Sequence, residues 1–261
     1  MIENKLAVIK LGGHAMDDAP LLNSFLNDIA TLLTAGWRFV IVHGGGPHIN
    51  ALLKALGITS QFIGGLRVTD AETLSAVELA LCAKVNKSIT RQLLACGVKA
   101  VGISGEDDGL LRAEVKDPAL GFVGRVIQVN PQILHVLLQA KITPIVAPLA
   151  LDGSFRPLNV NADTAAGAIA GSLKADYFVL ISDVPGVLDS QNALIPVLNA
   201  QQIDQLRADK VITGGMIPKV ECCQGALAAG CARTLILNGQ EDHALARYLV
   251  QDQKHGTEIL P

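Results

Sequence analysis

Short apolar segments alternate along this chain with longer segments in which apolar residues recur about every three to four positions. Apolar runs of about four to six residues have the length of buried strands, whereas the longer periodic segments are typical of helices. The pattern predicts strands at residues 6–11, 39–42, 100–104, 143–147, 177–182 and 234–237. It predicts helices at residues 21–34, 49–56, 70–96, 131–139, 162–173, 200–208, 217–229 and 244–249. This alternation indicates an α/β fold with a mainly parallel sheet covered by helices on both faces.

Residues that favour turns and helix caps indicate where the predicted helices and strands begin and end. Asp70 is expected to cap the long helix and Gly97 to end it. Residues 111–130 alternate weakly and contain glycine and proline, which predicts a hairpin. The best candidate for a boundary between lobes lies at residues 172–176, but no long linker is present. We therefore expect one domain over residues 1–261 with two lobes, about residues 1–173 and 174–261. Ligands of α/β folds bind where strand ends lead into helices, so candidate residues are sought there.

Composition narrows the class of protein. Of the 261 residues, 50% are hydrophobic and 3% are aromatic, and the net charge is −3. Because no basic run or aromatic platform is present, we expect no nucleic-acid or membrane partner. The N-terminus lacks a signal peptide and no segment reaches the ~18 apolar residues that span a bilayer, so we expect a cytoplasmic protein. The five cysteines lack CxxC spacing and are expected to be free thiols.

Three glycine-rich turns are predicted to follow strands, namely KLGG at residues 10–13, HGGGP at residues 43–47 and GGMIPK at residues 214–219. Glycine lets the backbone approach an anion and point N–H groups at it, and a following helix adds its positive N-terminal end. A tight turn needs glycine in any case, but three such turns in one chain indicate a phosphate-bearing ligand. The chain lacks GxxxxGK[ST] and a correctly spaced GxGxxG, which disfavours a P-loop or an ordinary dinucleotide site.

Two lysines stand beside these turns. Lys10 interrupts an apolar strand just before Gly12 and Gly13. Lys219 falls in the first turn of a helix that Pro218 is predicted to begin, where a cation opposes the helix dipole. Each lysine alone could be a solvated side chain. An anion bound between each lysine and its glycine turn would stabilise both, so the pair favours an anionic ligand.

Other polar residues allow two interpretations. Asn159, Asn161 and Asp163 lie at the start of the helix at residues 162–173, and Asn161 or Asp163 could cap it. One cap does not require three polar residues, so some of them are expected to face the site. Arg67 could clamp a carboxylate with two hydrogen bonds or be a solvated loop residue. The six histidines lack metal-ligand spacing and are taken as structural or surface residues.

Seven segments together carry a resemblance to a known family. They are KLGG (10–13), HGGGPHIN (43–50), GLRVTD (65–70), VNK (85–87), NVNAD (159–163), SDVPGVL (182–188) and GGMIPK (214–219). Over essentially its whole length, the chain resembles the acetylglutamate kinase family within the amino acid kinase superfamily. KxGG and SDVPG are shared across the superfamily, whereas HGGGPxIN, GLRVTD and NVNAD in this order are typical of acetylglutamate kinases.

The resemblance implies a three-layer αβα sandwich with an N-terminal substrate lobe and a C-terminal nucleotide lobe. It implies that Lys10 and Lys219 neutralise the transferring phosphoryl group and that Asp163 orients both lysines. The residues implied to bind substrate are Gly45, Gly46, Asn159 and Asn161, with Arg67 on its α-carboxylate. The residues implied to bind phosphate or nucleotide are Gly12, Gly13, Asp183, Val184, Pro185, Gly186, Val187, Leu188, Val211, Ile212 and Thr213.

The implied activity is ATP-dependent phosphorylation of the side-chain carboxylate of N-acetyl-L-glutamate in arginine biosynthesis, with Mg²⁺. This acceptor has a reference pKa of ~4.3 and is ionised at neutral pH, so the reaction needs no general base. No protein metal site is expected. Two alternatives stay open, a kinase for a carrier-bound aminoadipate and a non-catalytic amino-acid or nucleotide sensor. A sensor would have no need of Lys10, Lys219 and Asp163 together.

The resemblance also bears on assembly. Arginine-inhibited members of the family usually carry an extra N-terminal helix that links dimers into a hexamer, whereas nine residues precede Lys10 here. We therefore expect an arginine-insensitive homodimer. The long helix at residues 70–96 is the candidate interface.

Overall fold

The computed structural model describes residues 4–12, 16, 18–251, 253 and 255–261. Its strands are β1 (Leu6–Leu11), β2 (Arg38–His43), β3 (Phe62–Ile63), β4 (Leu66–Arg67), β5 (Ala100–Ser104), β6 (Leu111–Val115), β7 (Val123–Val129), β8 (Thr143–Ala147), β9 (Leu149–Leu151), β10 (Pro157–Val160), β11 (Tyr177–Ser182), β12 (Val197–Leu198), β13 (Thr234–Asn238) and β14 (Thr257–Ile259). Its α-helices are α1 (Ala19–Thr34), α2 (Gly46–Ala55), α3 (Ala71–Glu78), α4 (Lys87–Ala95), α5 (Gln132–Gln139), α6 (Ala162–Ser172), α7 (Ala200–Ala208), α8 (Met216–Ala228) and α9 (Ala244–Leu249). None of the helices in this part of the chain is long and apolar enough to cross a membrane.

One compact unit consists of Met1–Phe39 and Ala166–Pro261. Its strands lie in the order β12-β14-β13-β11-β1. β1 runs parallel to β11 and β11 parallel to β13, whereas β14 runs antiparallel to β13. Leu6, Ala7, Val8 and Ile9 are all buried, as a strand covered on both faces requires. The mainly parallel α/β arrangement predicted from the sequence is confirmed.

The second compact unit is Val40–Ala165. Here β8 pairs in parallel with both β2 and β5. A separate four-stranded barrel closes in the order β10-β7-β6-β9. The antiparallel pair of β6 and β7 confirms the hairpin predicted at residues 111–130. β9 and β10 were not predicted, because they are short and lie among Pro148, Gly153 and Pro157, which are typical of turns.

The predicted long helix at residues 70–96 is confirmed but is not α-helical throughout. The Asp70 side chain accepts a hydrogen bond from the backbone N–H of Thr73 at 2.8 Å, so Asp70 is the N-cap of α3. Gly97 follows α4 with a φ of +78°, a left-handed conformation that favours glycine. Between α3 and α4, Leu79–Asn86 forms a π-helix. Its wider turn changes which side chains face inward, and π-helical turns are frequent at functional sites.

The grouping of the chain into compact units differs from the lobes expected at residues 1–173 and 174–261. The first 39 residues cluster with residues 166–261 rather than with the segment that follows them. The physical reason is strand pairing, because β1 bonds along its length to β11, from Ala7 opposite Tyr177 to Leu11 opposite Ile181. Hydrophobic periodicity predicts that a strand exists but not which distant strand it joins.

Gly102→Ala on β5 is expected to destabilise the protein by about 1–3 kcal/mol, because overpacking a filled interior costs free energy of that order. A Cβ at Gly102 would lie 1.8 Å from Oδ1 of Asn86 and 2.7 Å from Oγ1 of Thr90. Urea unfolding followed by circular dichroism measures the change in free energy of unfolding. Gly153→Ala is the matched control, since a Cβ there meets no atom within 4 Å. Equal stability of the two variants would contradict the predicted clash.

Candidate active site

A cavity of about 210 Å³ lies within the unit Val40–Ala165. The glycine turn after β2, the β3–β4 ribbon, the π-helix and β10 line it. Its lining residues are Gly44, Gly45, Gly46, Ile49, Phe62, Gly65, Leu66, Arg67, Leu81, Val123, Pro148, Asn159, Val160, Asn161 and Ala162. The structure thus brings together all five residues predicted for substrate binding, although they are spread over more than one hundred positions of the sequence.

The glycine turn presents the N-terminal end of α2 to this cavity. A Cβ at Gly45 would lie 2.6 Å from Cδ2 of Leu81, whereas a Cβ at Gly46 would meet no atom within 4 Å. Protein packing therefore does not explain Gly46, but close approach of a ligand to the backbone would. The first N–H groups of a helix have no partner within the helix, and the helix dipole makes this end positive. The turn is suited to binding an anionic or carbonyl oxygen.

Arg67 supplies a cation to the same cavity. Its side chain is only 9% exposed. Nη1 donates a hydrogen bond to Oγ of Ser60 and Nη2 donates one to Oδ1 of Asn50, both at 2.7 Å, and the guanidinium lies 4.7 Å from the centre of the Phe62 ring. Burial lowers the pKa of Arg67, but a guanidinium remains charged at neutral pH. Both hydrogen-bond partners are uncharged, so the positive charge is available to an anionic ligand.

The two asparagines of NVNAD have different contacts. Nδ2 of Asn159 donates a hydrogen bond to Oγ1 of Thr69 at 3.1 Å, which fixes the amide at the cavity wall. Oδ1 of Asn161 accepts hydrogen bonds from the backbone N–H groups of Asp163 at 2.9 Å and Thr164 at 3.1 Å. Of the two interpretations of this motif, the cap is therefore correct for Asn161, while Asn159 lines the cavity with its amide bonded to Thr69. Asp163 lies half-buried in the first turn of α6.

In the unit that contains both chain ends, Lys10 and Gly12 lie where β1 ends beside β11. A Cβ at Gly12 would lie 2.9 Å from the carbonyl oxygen of Ile181 and 3.3 Å from Nζ of Lys10. A side chain at position 12 would therefore fill the space next to the lysine ammonium. Gly13, predicted to bind phosphate, and His14 lie outside the described residues.

The segment after β11 carries the predicted nucleotide residues Asp183, Val184, Pro185, Gly186, Val187 and Leu188. Thr257 of β14 holds this segment, because its Oγ1 accepts a hydrogen bond from the backbone N–H of Val187 at 2.8 Å. A Cβ at Gly186 would lie 2.6 Å from the same oxygen. The side chain of Val187 is buried and that of Asp183 is exposed. Thr257 was not found from the sequence, since nothing near it marks a site.

Lys219 and the predicted residues Val211, Ile212 and Thr213 lie around the start of α8. This helix begins at Met216, one residue before the predicted range of residues 217–229 and two before Pro218. The glycine turn in front of it was predicted to follow a strand, but the preceding element is the helix α7. Lys219 is half-buried in its first turn. Ile212 is 3% exposed, whereas Thr213 is exposed. Of these three residues, Thr213 is the most exposed.

Histidines and cysteines have structural contacts rather than metal-ligand geometry. Among the described residues, no three His, Cys, Asp or Glu side chains come together as metal ligands. Nδ1 of His243 and a carboxylate oxygen of Asp28 lie 2.7 Å apart, and the ring of His255 bonds to backbone carbonyls. All five cysteines are free thiols, as predicted. Burial raises the pKa of Cys82 to about 12 and that of Cys231 to about 11, so these thiols stay protonated at neutral pH.

His43, at the end of β2, is fully buried. Burial lowers its pKa from 6.5 to about 4; a hydrogen bond to Gly44 opposes this shift and the charge of His48 adds to it. The unfolded chain therefore binds a proton near pH 6.5 that the folded chain does not bind until about pH 4. The contribution of the neutral His43 to the free energy of unfolding is fully present above pH 6.5. It falls by about 3 kcal/mol as the pH falls from 6.5 to 4.

This pH dependence can be measured by urea unfolding of the protein and of His43→Gln between pH 7 and pH 4. The difference in free energy of unfolding between the two should shrink as the pH falls, because glutamine does not titrate. A difference that stays constant over this range would contradict a neutral, buried His43.

The parallel α/β fold, the lysine beside a glycine turn and the small cavity with a buried guanidinium are the features of an α/β protein with candidate sites for small anionic molecules. The sequence profile of the amino acid kinase family matches residues 5–238, and the chain belongs to this family. The predicted family membership and fold class are thus confirmed. A similar protein is the acetylglutamate kinase of Sphingopyxis alaskensis, which is 48% identical over 265 aligned residues that cover 97% of this chain and 88% of that kinase.

Solved structures show the same fold. The crystal structure of smu.665 from Streptococcus mutans UA159 is 32% identical, with a TM-score of 0.83 over 98% of both chains. The N-acetylglutamate synthase of Neisseria gonorrhoeae, solved with coenzyme A and N-acetyl-glutamate, is 25% identical with a TM-score of 0.85. That match covers 98% of this chain but 59% of the synthase.

Proposed function

We propose that this protein uses ATP to phosphorylate the side-chain carboxylate of N-acetyl-L-glutamate in arginine biosynthesis. The products are N-acetyl-L-glutamyl 5-phosphate and ADP. The observation that carries the proposal is the cavity in which a buried guanidinium, the N-terminal end of α2 and the amide of Asn159 converge. The 48% identical relative is named acetylglutamate kinase, and the alignment covers 97% of this chain and 88% of that kinase, which supports the same activity.

In the cavity, the acceptor's α-carboxylate would bind Arg67, whose planar guanidinium suits a carboxylate. The backbone of Gly45 and Gly46 would bind polar oxygens of the acetylglutamate. Asn159 would hold the substrate through its fixed amide, with the helix-capping Asn161 beside it. The buried side chains of Ile49 and Leu81 supply apolar wall for the methyl and methylene groups.

The transfer step brings an anionic nucleophile onto an anionic phosphate. A carboxylate oxygen of the acceptor forms a bond to the γ-phosphorus, the bond to the bridging oxygen breaks, and ADP leaves with that electron pair. The acceptor is ionised at neutral pH, so no residue has to remove a proton. Lys10 and Lys219 would lower the charge repulsion, and Asp163 is the carboxylate proposed to act with them.

The nucleotide would bind the unit that contains Lys10, Gly12 and Asp183. The residues fit a phosphate group, because Gly12 leaves space beside the ammonium of Lys10 and Asp183 is exposed at the adjoining strand end. Val211, Ile212, Thr213 and the segment at residues 183–188 are proposed to line the rest of the site. Mg²⁺ is usually held by phosphate oxygens and water, so it would enter with ATP and neutralise phosphate charge.

We further propose that the protein is a cytoplasmic homodimer that arginine does not inhibit. Leu79 on the π-helix and Leu94 on α4 are 58% and 52% exposed, which leaves apolar surface along the predicted interface helix. Light scattering should give about twice the chain mass of 27.4 kDa, and added arginine should leave the rate unchanged. A monomer, a hexamer or inhibition by arginine would contradict this assembly.

Hydroxylamine trapping of acyl phosphate tests the reaction. The folded protein is given Mg-ATP and, side by side, N-acetylglutamate, glutamate, aspartate and N-acetyl-aminoadipate. Strong signal with N-acetylglutamate alone is expected. Signal with a different acid would keep the kinase class and change the substrate, whereas silence with all four would favour a sensor or a carrier-bound acceptor. These alternatives are not favoured, given the name and coverage of the 48% identical relative.

A further inference from the structure

A buried hydrogen-bond network lies directly behind the glycine turn. His43 is 0% exposed, and its Nδ1 lies 2.7 Å from the carbonyl oxygen of Gly44. Its Nε2 lies 3.2 Å from Nδ2 of Asn86, which is 1% exposed. A carbonyl oxygen can only accept and an amide nitrogen can only donate. Both contacts are therefore satisfied by a single state of the ring, the neutral tautomer with its proton on Nδ1.

Asn86 is itself fixed by the sheet beneath it. The same Nδ2 lies 2.9 Å from the carbonyl oxygen of Ile145 on β8 and 3.1 Å from that of Ile103 on β5, so its two hydrogens are shared among these oxygens and Nε2 of His43. The side chain fits against β5 because position 102 is glycine, where a Cβ would collide with Oδ1 of Asn86. Asn86 ends the π-helix, whose Leu81 and Val85 pack against Gly45. The sheet thus sets the position of Asn86, and Asn86 sets that of the histidine ring.

The network fixes the direction of one peptide group at the cavity. The carbonyl of Gly44 points at the buried ring of His43. In a trans peptide the N–H of the next residue points the opposite way. Gly44 and Gly45 both line the cavity, so the N–H of Gly45 is turned from the core toward the space in front of α2.

We propose that His43 and Asn86 are positioning residues that hold the Gly44–Gly45 peptide with its N–H directed at the acceptor substrate. This inference rests on the proposed function of the cavity. Burial keeps the ring neutral at pH 7, because it lowers the pKa of His43 to about 4. Because the N–H group is already held in place, no conformational entropy is lost in ordering it when the acceptor binds. Loss of the network should therefore weaken binding of the acceptor specifically.

A matched pair of variants tests the proposal. In His43→Asn the amide nitrogen replaces Nδ1 and can still donate to Gly44, whereas in His43→Gln the amide replaces the Nε2 end and that donor is lost. The KM for N-acetylglutamate should rise about tenfold in His43→Gln and stay within about threefold of wild type in His43→Asn. The KM for ATP should be unchanged in both variants, and thermal unfolding should show similar losses of stability.

Equal acceptor KM values in the two variants would overturn the proposal, as would equal increases in the KM of both substrates, because either result describes a merely structural histidine. The wild-type assay separates this failure from failure of the function. If wild type does not phosphorylate N-acetylglutamate, the proposed function fails first. If wild type does phosphorylate N-acetylglutamate but the two variants have the same KM for it, only the positioning role fails.

A second measurement uses wild-type protein and does not depend on whether the variants fold. Long-range ¹H–¹⁵N correlation spectra of histidine-labelled protein distinguish the two neutral tautomers. One ring should carry its proton on Nδ1 at pH 7, and its signals should shift when N-acetylglutamate is added without nucleotide. The absence of that tautomer, or signals that do not move on saturation with N-acetylglutamate, would overturn the proposal.

Discussion

Lys10→Ala and Lys219→Ala should each lower kcat by about 10²–10⁴-fold, with the KM of either substrate changed by less than about tenfold. In the proposed mechanism each ammonium stabilises charge that develops on the transferring phosphoryl group, so its removal should raise the barrier of the chemical step. Ground-state binding loses less, because other groups also hold both substrates. Steady-state kinetics with Mg-ATP and N-acetylglutamate, each varied at saturation of the other, separates kcat from KM.

Lys99→Ala is the matched control, because Lys99 is exposed and belongs to neither the cavity nor the lysine-bearing strand end. It should leave both constants unchanged. A near-normal kcat in either Lys10→Ala or Lys219→Ala would remove that lysine from the proposed transfer step. A large rise in the KM for ATP with normal kcat would instead make it a nucleotide-binding residue.

Arg67→Ala should raise the KM for N-acetylglutamate by about 10²-fold while the KM for ATP stays constant. The expected size follows from the loss of a buried, hydrogen-bonded charge pair, which costs about 2–5 kcal/mol. Arg67 is held in place by Ser60, Asn50 and the Phe62 ring, so the guanidinium is already ordered before substrate binds. Acceptor saturation curves at constant ATP measure the change.

The acceptor 4-acetamidobutanoate makes this test specific, since it is N-acetylglutamate without the α-carboxylate. Wild type should strongly prefer N-acetylglutamate, and Arg67→Ala should turn over the two acids with kcat/KM values within about threefold of each other. Arg125→Ala is the control, because the exposed Arg125 pairs with Glu114 on the surface. Undiminished preference in Arg67→Ala would show that Arg67 does not bind the α-carboxylate.

The two sets of variants separate the parts of the site. Loss of Lys10 or Lys219 is expected to lower the rate of transfer, whereas loss of Arg67 is expected to lower the affinity for the acceptor. Such a split is expected when one group of residues interacts with the transition state and another binds a distant part of the substrate. Similar kinetic defects in all three variants would point to a general loss of folded enzyme, which thermal unfolding would detect.

Much of the candidate site could be predicted because its residues form local motifs. Gly45 and Gly46 stand between an apolar run and an amphipathic helix, and the same local pattern identifies Asn159 and Asn161. The roles within a motif were less accessible. Asn161 and Asn159 are two positions apart and both line the cavity, yet Asn161 caps α6 whereas Asn159 bonds to Thr69. The orientation of the Asn159 amide depends on its contact with Thr69, ninety residues away in the chain.

His43 and Asn86 show most clearly which features of the site cannot be predicted from the sequence. The sequence predicts a structural or surface role for His43, and it marks Asn86 only as part of the VNK segment. The residues next to His43 and Asn86 in the sequence do not connect the two, because they are 43 positions apart. Their connection exists because the π-helix turns Asn86 inward and Gly102 leaves space for it.

The sequence by itself determined the α/β class, most strand and helix positions and the family, because hydrophobic periodicity and glycine turns are properties of neighbouring residues. The tertiary structure alone decided that β1 joins the C-terminal half of the chain, that β9 and β10 close a barrel, and that Thr257 holds the segment after β11. Strand partners and buried hydrogen bonds join residues far apart in the chain, and their free energy depends on positions that local patterns do not contain.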